Sequence, residues 1–215
     1  NNDLPGVMLG SAAQRLIHLY GVKPGQRAVV LTANNDGYGV ALDLLDADVD
    51  VVAVIEMRKE LPTCELVQEV INKKIEVLCE HAIYEAQPGP GKRSIKGVSV
   101  AAITGEGQVS DSNSQIQCDL LCMSVGYSPA AQLLCHSGGR LIYDEQTAML
   151  KVNAIPRHGN GERAVVAGSL NTVFDLDAVL DDGNHAGWAA ANMADFNQRP
   201  EPELAKLQKS SDQNY

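Results

Sequence analysis

The sequence lacks several features that would assign it to a functional class. It has 17 Lys and Arg residues against 27 Asp and Glu residues, a formal net charge of −10, whereas nucleic acids and anionic membranes attract clustered Lys and Arg. No apolar run approaches the roughly 20 residues of a bilayer-spanning helix, and the start, NND, differs from a signal peptide. We therefore expect a cytoplasmic protein with no nucleic-acid or membrane partner.

The cysteines form no recognisable metal or redox motif. None belongs to a C-x-x-C pair, and their odd number fits a reducing compartment better than secretion. They are Cys64, Cys79, Cys118, Cys122 and Cys135. We predict reduced and mostly buried thiols and, because the aspartates of residues 175–182 also lack paired ligand spacing, no metal site.

Apolar runs and helical periodicity alternate in the first third of the chain. The runs at residues 28–32, 51–55 and 75–78 are rich in Val, Leu and Ile, and helical spacing separates them at residues 36–46 and 63–73. Strands that are apolar on both faces and joined by helices are typical of a parallel sheet covered on both sides. The pattern predicts a doubly wound, Rossmann-like α/β fold, with Thr63 as the N-cap of its second helix.

The flanking segments predict further elements. An earlier helix is expected at residues 8–20, and short β-prone pieces at 82–84, 96–100 and 115–117 indicate an antiparallel meander in which residues 110–114 are a connection. A buried strand follows at 119–123. Beyond Pro129 we expect a strand at 164–168, a helix from Asp175 to about Asn197, and a frayed tail.

The first βαβ unit aligns with the dinucleotide fingerprint G-x-G-x-x-G but has replaced all three glycines, by Ala33, Asn35 and Tyr38. Ala33 is small, and Asn35 tolerates a left-handed backbone. The Tyr38 ring must be pushed out of the contact between strand and helix. The helix N-terminus that holds phosphate remains.

The acidic end of the fingerprint is present. Glu56 follows Ala33 by 23 positions, close to the spacing of about 20 at which a carboxylate accepts ribose hydroxyls and repels a 2′-phosphate. NAD is therefore expected over NADP, although Arg58 weakens the preference. Alternatively, Glu56 is a solvated strand end on a degenerate scaffold. The predicted cofactor residues here are Ala33, Asn34, Asn35, Asp36, Gly37, Glu56, Met57 and Arg58, together with Ser124 and Gly126 after the last buried strand.

A second group of candidates lies in the last third of the chain. A strand that ends in glycine and precedes a helix meets the flavin diphosphate in flavoproteins with two dinucleotide sites. Gly168, Ser169 and Asp175 match that arrangement. An ordinary strand, loop and helix would show the same pattern, so that alternative stays open.

In this order, the segments resemble the alpha subunit of heterotetrameric sarcosine oxidase and related amine- and opine-oxidising flavoenzymes. The resemblance covers about residues 1–195. It is carried by residues 1–8 (NNDLPGVM), 20–25 (YGVKPG), the βαβ unit through Glu56, 118–121 (CDLL), 126–129 (GYSP), 137–139 (SGG) and 166–176.

The resemblance implies a flavin domain interrupted by an NAD domain. Residues 1–22 would end the first flavin-domain segment, 23–127 would form the NAD-binding domain, 128–197 the second flavin-domain segment, and 198–215 a flexible tail. The first FAD-binding unit would be missing, so this chain is not expected to hold FAD. The parent enzyme would demethylate sarcosine oxidatively at a substrate site on another subunit, which leaves no catalytic residue here. The alternatives are a degenerate scaffold for subunit assembly, or a domain of another FAD/NAD-dependent reductase or dehydrogenase.

Overall fold

The computed structural model of the chain describes residues 1, 3–144, 149–155, 157–158, 161–162, 164–194 and 196. The chain forms two compact units, Asn1–Val125 and Gly126–Tyr215. The predicted tail at 198–215 lies outside the described residues. The predicted domain limits at residues 22 and 127 stay predictions.

A five-stranded parallel sheet is the centre of the first unit. The elements of this unit, in chain order, are β1 (Val7–Leu9), α1 (Gly10–Tyr20), β2 (Arg27–Thr32), α2 (Asp36–Asp46), β3 (Asp50–Glu56), α3 (Glu65–Asn72), β4 (Glu76–Cys79), β5 (His81–Pro88), β6 (Ile95–Gly105), β7 (Gln108–Gln117) and β8 (Leu120–Ser124). The parallel sheet has the strand order β1-β8-β2-β3-β4, and a separate antiparallel sheet has the order β5-β6-β7. The predicted parallel sheet and antiparallel meander are confirmed.

Both faces of the parallel sheet are buried, which explains its continuous apolar strands. Along β2, Val30 belongs to a cluster that includes Leu44 of α2, whereas Val29 and Leu31 belong to a second cluster with Val98 of the meander. Alternate side chains of a strand point to opposite faces. The helices therefore cover one face of the sheet and the meander covers the other.

The starts of two helices predicted for the first unit differ from the structure. The first helix begins at Gly10, because Val7–Leu9 pair with β8 as an edge strand. This strand and α1 lie in the same unit as residues 27–125. Thr63 is not the N-cap of α3: Cys64 occupies that position and makes no side-chain capping bond.

The predicted connection at residues 110–114 was wrong, since these residues are part of β7. The strand is an edge of the three-stranded sheet, and most of its residues are exposed. A strand with solvated side chains has no need of apolar residues. Its Ser- and Asp-rich composition therefore indicated exposure rather than a loop.

The second unit contains short strands and one long helix. The predicted strand at 164–168 was wrong: residues 164–167 have no regular secondary structure, and Gly168–Asn171 form a 3-10 turn. The elements are α4 (Gln132–His136), β9 (Arg140–Asp144), β10 (Met149–Ala154), β11 (Arg157–His158), β12 (Gly161–Glu162) and α5 (Leu176–Met193). In the described part of this unit, strands pair only as β9 with β10 and β11 with β12, which leaves residues 164–167 without a neighbouring strand.

None of the helices within the described residues has both the length and the apolar character needed to span a bilayer.

Candidate dinucleotide site

The turn between β2 and α2 lies at the carboxyl end of the parallel sheet. Thr32, the last residue of β2, pairs in register with Glu56 of β3 and Ser124 of β8. Its buried Oγ1 donates to the carbonyl of Asn34 at 2.7 Å, and the amide of Ala33 donates to the carbonyl of Ser124 at 3.0 Å. These bonds tie the predicted phosphate-binding turn to the ends of two strands.

Asn34 is the buried polar residue of this turn, with 4% of its surface exposed. Its Oδ1 accepts a hydrogen bond from Ser124 Oγ at 2.9 Å. Its Nδ2 is buried and has no hydrogen-bond partner among the residues that the structure describes. A buried donor without an acceptor costs about 1–3 kcal/mol, so an acceptor atom of a ligand would be stabilised there.

Gly37 lets α2 approach β2 closely. A Cβ atom at this position would lie 2.2 Å from Thr32 Oγ1 and 2.3 Å from Thr32 Cβ. Close packing of helix and strand is the role of the third fingerprint glycine. The sequence alignment assigned that role to position 38, whereas the structure assigns it to Gly37, one residue earlier.

Tyr38 is fully buried, and its ring is not pushed out of the contact between strand and helix as expected. Its ring is part of the cluster with Val40 and Leu44 under the helices, and its hydroxyl donates to Glu56 Oε2 at 2.8 Å. Burial and the hydrogen bond to Glu56 raise the pKa of Tyr38 well above its ordinary value. The phenol therefore stays protonated and acts as a donor. The expected displacement was wrong because Gly37, not Tyr38, makes the close contact.

Glu56 is fully buried, and every acceptor position of its carboxylate is used. Oε1 accepts from the backbone N–H of Arg58 at 2.9 Å and from Arg58 Nε at 3.0 Å. Oε2 accepts from the Tyr38 hydroxyl and from an Arg58 terminal nitrogen, both at 2.8 Å. A carboxylate offers about four acceptor positions. None is left for a ribose hydroxyl while these bonds persist.

Arg58 connects the carboxylate to the turn. Its guanidinium also donates to Asn35 Oδ1 at 3.0 Å, and its side chain is 15% exposed. Burial alone would lower the pKa of Arg58, but the hydrogen bond and attraction of Glu56 outweigh burial and raise it. Glu56 and Arg58 therefore form a salt bridge, at 2.8 Å, whose two charges cancel.

The other predicted residues of this region differ in their surroundings. Asn35 is the N-cap position of α2 and has a right-handed backbone, so the expected left-handed conformation is absent there. Asp36 is exposed at the first turn of the helix, and Met57 donates its amide to the carbonyl of Thr32 at 2.9 Å. A Cβ at Gly126 would have no neighbour within 4 Å, so that position is open.

The predicted flavin-contact residues of the second unit are engaged with their own chain. The amide of Gly168 donates to Asp182 Oδ2 at 2.7 Å, and Asn171 donates to Asp182 Oδ1 at 2.9 Å. Asp175 caps α5 by accepting from the amide of Ala178 at 3.0 Å, while Ser169 is exposed. Asp175 and Gly168 therefore have structural roles, and Asp182 is the organising residue that sequence reasoning missed.

Sequence reasoning also missed Thr32 and Tyr38 as members of the first site. One signal for the carboxylate cluster was available, because Glu56 and Arg58 are two positions apart and such residues share a face of an extended chain. A carboxylate at the end of a buried strand, with a cationic side chain two positions later, indicates a salt bridge within the chain. Nothing local indicated that the Tyr38 hydroxyl would reach Glu56, since 18 positions separate them.

The two ends of the site therefore fit a dinucleotide unequally. At the turn, Gly37 brings a helix N-terminus close to β2, and Asn34 holds an unsatisfied donor. These features fit a phosphate group, although the carboxylate of Asp36 works against an anion. At the end of β3, Glu56 has no acceptor for a ribose.

Comparison with known proteins gives relatives along nearly the whole chain. Sarcosine oxidase subunit alpha of Corynebacterium sp. (strain P-1) is 28% identical over 196 residues, which are 91% of this chain and 19% of that protein. The subunit of the same name from Rhizobium meliloti (strain 1021) is 29% identical over 187 residues, 85% of this chain and 16% of that protein. The chain thus spans less than one fifth of the length of these relatives. No protein-family model matches the chain.

Solved structures show the fold. Thioredoxin reductase of T. acidophilum matches with a TM-score of 0.62 at 19% identity, and the match covers 90% of this chain and 59% of the reductase chain. L-proline dehydrogenase of P. horikoshii matches with a TM-score of 0.56 at 17% identity, over 93% of this chain and 32% of the dehydrogenase chain. The predicted fold class, a Rossmann-like FAD/NAD(P)-binding fold, is confirmed.

The relatives and the structural neighbours are oxidases, reductases and dehydrogenases by name. The resemblance seen in the sequence is confirmed as well: over most of its length, the chain is similar to a segment of sarcosine oxidase subunit alpha.

Proposed function

We propose that this chain is the NAD-binding domain of an oxidoreductase of the sarcosine oxidase alpha type. The single observation that carries the proposal is the turn at the carboxyl end of the sheet. There the buried Asn34 donor, which has no partner among the residues that the structure describes, adjoins the closely packed start of α2. The similarity to sarcosine oxidase subunit alpha over 85–91% of the chain supports the same assignment.

The residues of the turn would act by binding and orienting. The N-terminus of a helix favours an anion; at the start of α2 the amide of Tyr38 donates to the carbonyl of Asn35 at 3.2 Å, and Asn34 Nδ2 adds a side-chain donor. Gly37 keeps the helix close enough to β2 for these groups to converge. The bound dinucleotide would supply its own redox chemistry, and the chain contributes no catalytic side chain in this proposal.

The parent protein would act on CH–NH donors by oxidative demethylation of sarcosine, with flavin accepting the hydride. Residues 23–127 would be the NAD domain, and residues 1–22 and 128–197 would belong to the flavin domain, with Gly168, Ser169 and Asp175 near the flavin. FAD would be held only in the intact parent. The partners would be the other subunits of a cytoplasmic hetero-oligomer.

Calorimetry with NAD tests the proposal on the purified full chain. We expect saturable binding that weakens about tenfold in Asn34→Ala, which corresponds to the loss of one hydrogen bond of about 1.4 kcal/mol. Asn72→Ala is the matched control, since Asn72 is exposed at the end of α3. Absence of heat at millimolar NAD would overturn the proposal.

The fully hydrogen-bonded carboxylate of Glu56 favours a second candidate function, a degenerate dinucleotide scaffold that serves subunit assembly. All four acceptor positions of its carboxylate are used within the chain, as expected of a domain that no longer binds a ribose. This candidate predicts that the chain copurifies stoichiometrically with the other subunits and binds no NAD. Saturable NAD binding would eliminate it.

A further inference from the structure

The Glu56–Arg58 pair has a consequence for cofactor specificity. In dinucleotide folds, a carboxylate at the end of the second strand accepts the ribose hydroxyls of NAD and repels the 2′-phosphate of NADP. Both effects depend on a carboxylate that is available to the ligand and carries an uncompensated charge. Glu56 occupies that position but satisfies neither condition.

Availability is lost because the four acceptor positions are filled. Tyr38 and Arg58 supply all four donors at 2.8–3.0 Å. Glu56 is also 0% exposed. NAD therefore gains no hydrogen bond at this position that NADP would lack.

Repulsion is lost because the guanidinium compensates the carboxylate. Arg58 contacts Glu56 through two side-chain nitrogens, at 3.0 and 2.8 Å, in the forked geometry of a strong ion pair. The exposed neighbours Lys59 and Glu60 again have opposite charges. A 2′-phosphate at the end of β3 would therefore meet a salt bridge whose charges cancel rather than an unpaired carboxylate.

We infer that this domain does not discriminate between NAD and NADP, and that Arg58 is the residue that removes the discrimination. The inference rests on the proposed dinucleotide site and refines its specificity. It also removes the preference for NAD that the sequence position of Glu56 predicted.

Calorimetric titration of the full chain with NAD and with NADP is the test. We expect dissociation constants that differ by less than tenfold in the unmodified protein. Arg58→Gln uncovers the charge of Glu56 and should raise the NADP to NAD ratio of dissociation constants at least tenfold. The effect should shrink as ionic strength rises, because it is electrostatic. Arg27→Gln is the control, since Arg27 pairs with Asp50 at the opposite end of the same strands.

A second variant protects the test if Arg58→Gln fails to fold. Glu56→Gln removes the negative charge that faces Arg58 and should lower the NADP to NAD ratio of dissociation constants. Binding of NAD with a tenfold or greater preference in the unmodified protein would overturn the inference and leave the proposed function standing. An unchanged ratio in both folded variants would also overturn it. Binding of neither nucleotide would overturn the proposed function and the inference together.

Discussion

The two ends of the β2–α2–β3 unit differ in how completely their polar groups are paired. At the end of β3, the Glu56 carboxylate has four donors and no exposed surface. At the turn after β2, Asn34 is almost as deeply buried, yet its Nδ2 has no partner in the described part of the chain. At the end of β3 the polar groups of the chain satisfy one another, whereas the turn after β2 retains one unpaired donor among the described residues.

The difference follows from the cost of burying a charge compared with a neutral amide. An ionised carboxylate is very costly to bury unless it is paired and hydrogen-bonded, whereas an amide donor left alone costs about 1–3 kcal/mol. A fold can tolerate an unpaired buried amide donor but not an unpaired buried carboxylate. A charged residue at a cofactor position is therefore a weaker indicator of binding than a neutral polar group without a partner.

The largest expected effect is the loss of the carboxylate. Glu56→Ala should lower the free energy of unfolding by about 3–5 kcal/mol, because it breaks the salt bridge between the buried Glu56 and the largely buried Arg58. Urea unfolding followed by circular dichroism measures the change. Asp50→Ala is the control: Asp50 pairs with Arg27 at 3.6 Å on the surface, and such pairs contribute about 1 kcal/mol or less. An equal loss of unfolding free energy in Glu56→Ala and Asp50→Ala would contradict a stabilising role of the buried Glu56–Arg58 salt bridge.

The close packing of α2 on β2 is tested by adding a methyl group at Gly37. Gly37→Ala should lower the free energy of unfolding by about 2–3 kcal/mol, since the new Cβ would lie 2.2 Å from Thr32 Oγ1. Gly39→Ala is the matched control in the same helix, where the Cβ would lie 4.0 Å from Leu66 Cδ1. Helix propensity should make that variant more stable by about 0.5–1 kcal/mol. The same unfolding measurement applies, and a neutral Gly37→Ala would refute the close approach.

A smaller effect is expected from removing one donor to Glu56. Tyr38→Phe keeps the buried ring and deletes the hydroxyl, so the free energy of unfolding should fall by about 1.5 kcal/mol, as for a hydrogen bond to a charged group. Tyr84→Phe, at a tyrosine that is 61% exposed, should change nothing measurable. If both substitutions proved neutral, the bond between Tyr38 and Glu56 would make no contribution to stability.

The smallest effect concerns Cys79, which pairs in register with Glu56 across β3 and β4. Burial and repulsion by Glu56 raise the pKa of its thiol, while Arg58 lowers it. Glu56→Gln should therefore move the alkylation of Cys79 to lower pH. Iodoacetamide labelling, resolved by mass spectrometry across a pH series, measures the shift, with the exposed Cys135 as internal reference. An unchanged profile would indicate that Glu56 exerts no charge effect on its neighbour.

Local patterns in the sequence predicted most of the first unit. The helix predicted at residues 36–46 has those bounds in the structure, since a turn precedes it and its apolar residues recur at helical spacing. Glu56 was correctly placed at the end of β3. Residues 110–114 and 164–167 were assigned wrongly, because composition alone does not tell a solvated edge strand from a loop, or an apolar loop from a strand.

The alternation of apolar strands and helices determined, without any coordinates, that this chain forms a parallel sheet with a βαβ unit, because burial on both faces requires that pattern. Whether the carboxylate at the end of that unit faces a ligand or its own chain was decided only by the tertiary structure. Tyr38 reaches Glu56 from a helix 18 positions away, and the pairing capacity of a charged group depends on neighbours that folding brings together. The sequence positions a charge, and the fold determines what neutralises it.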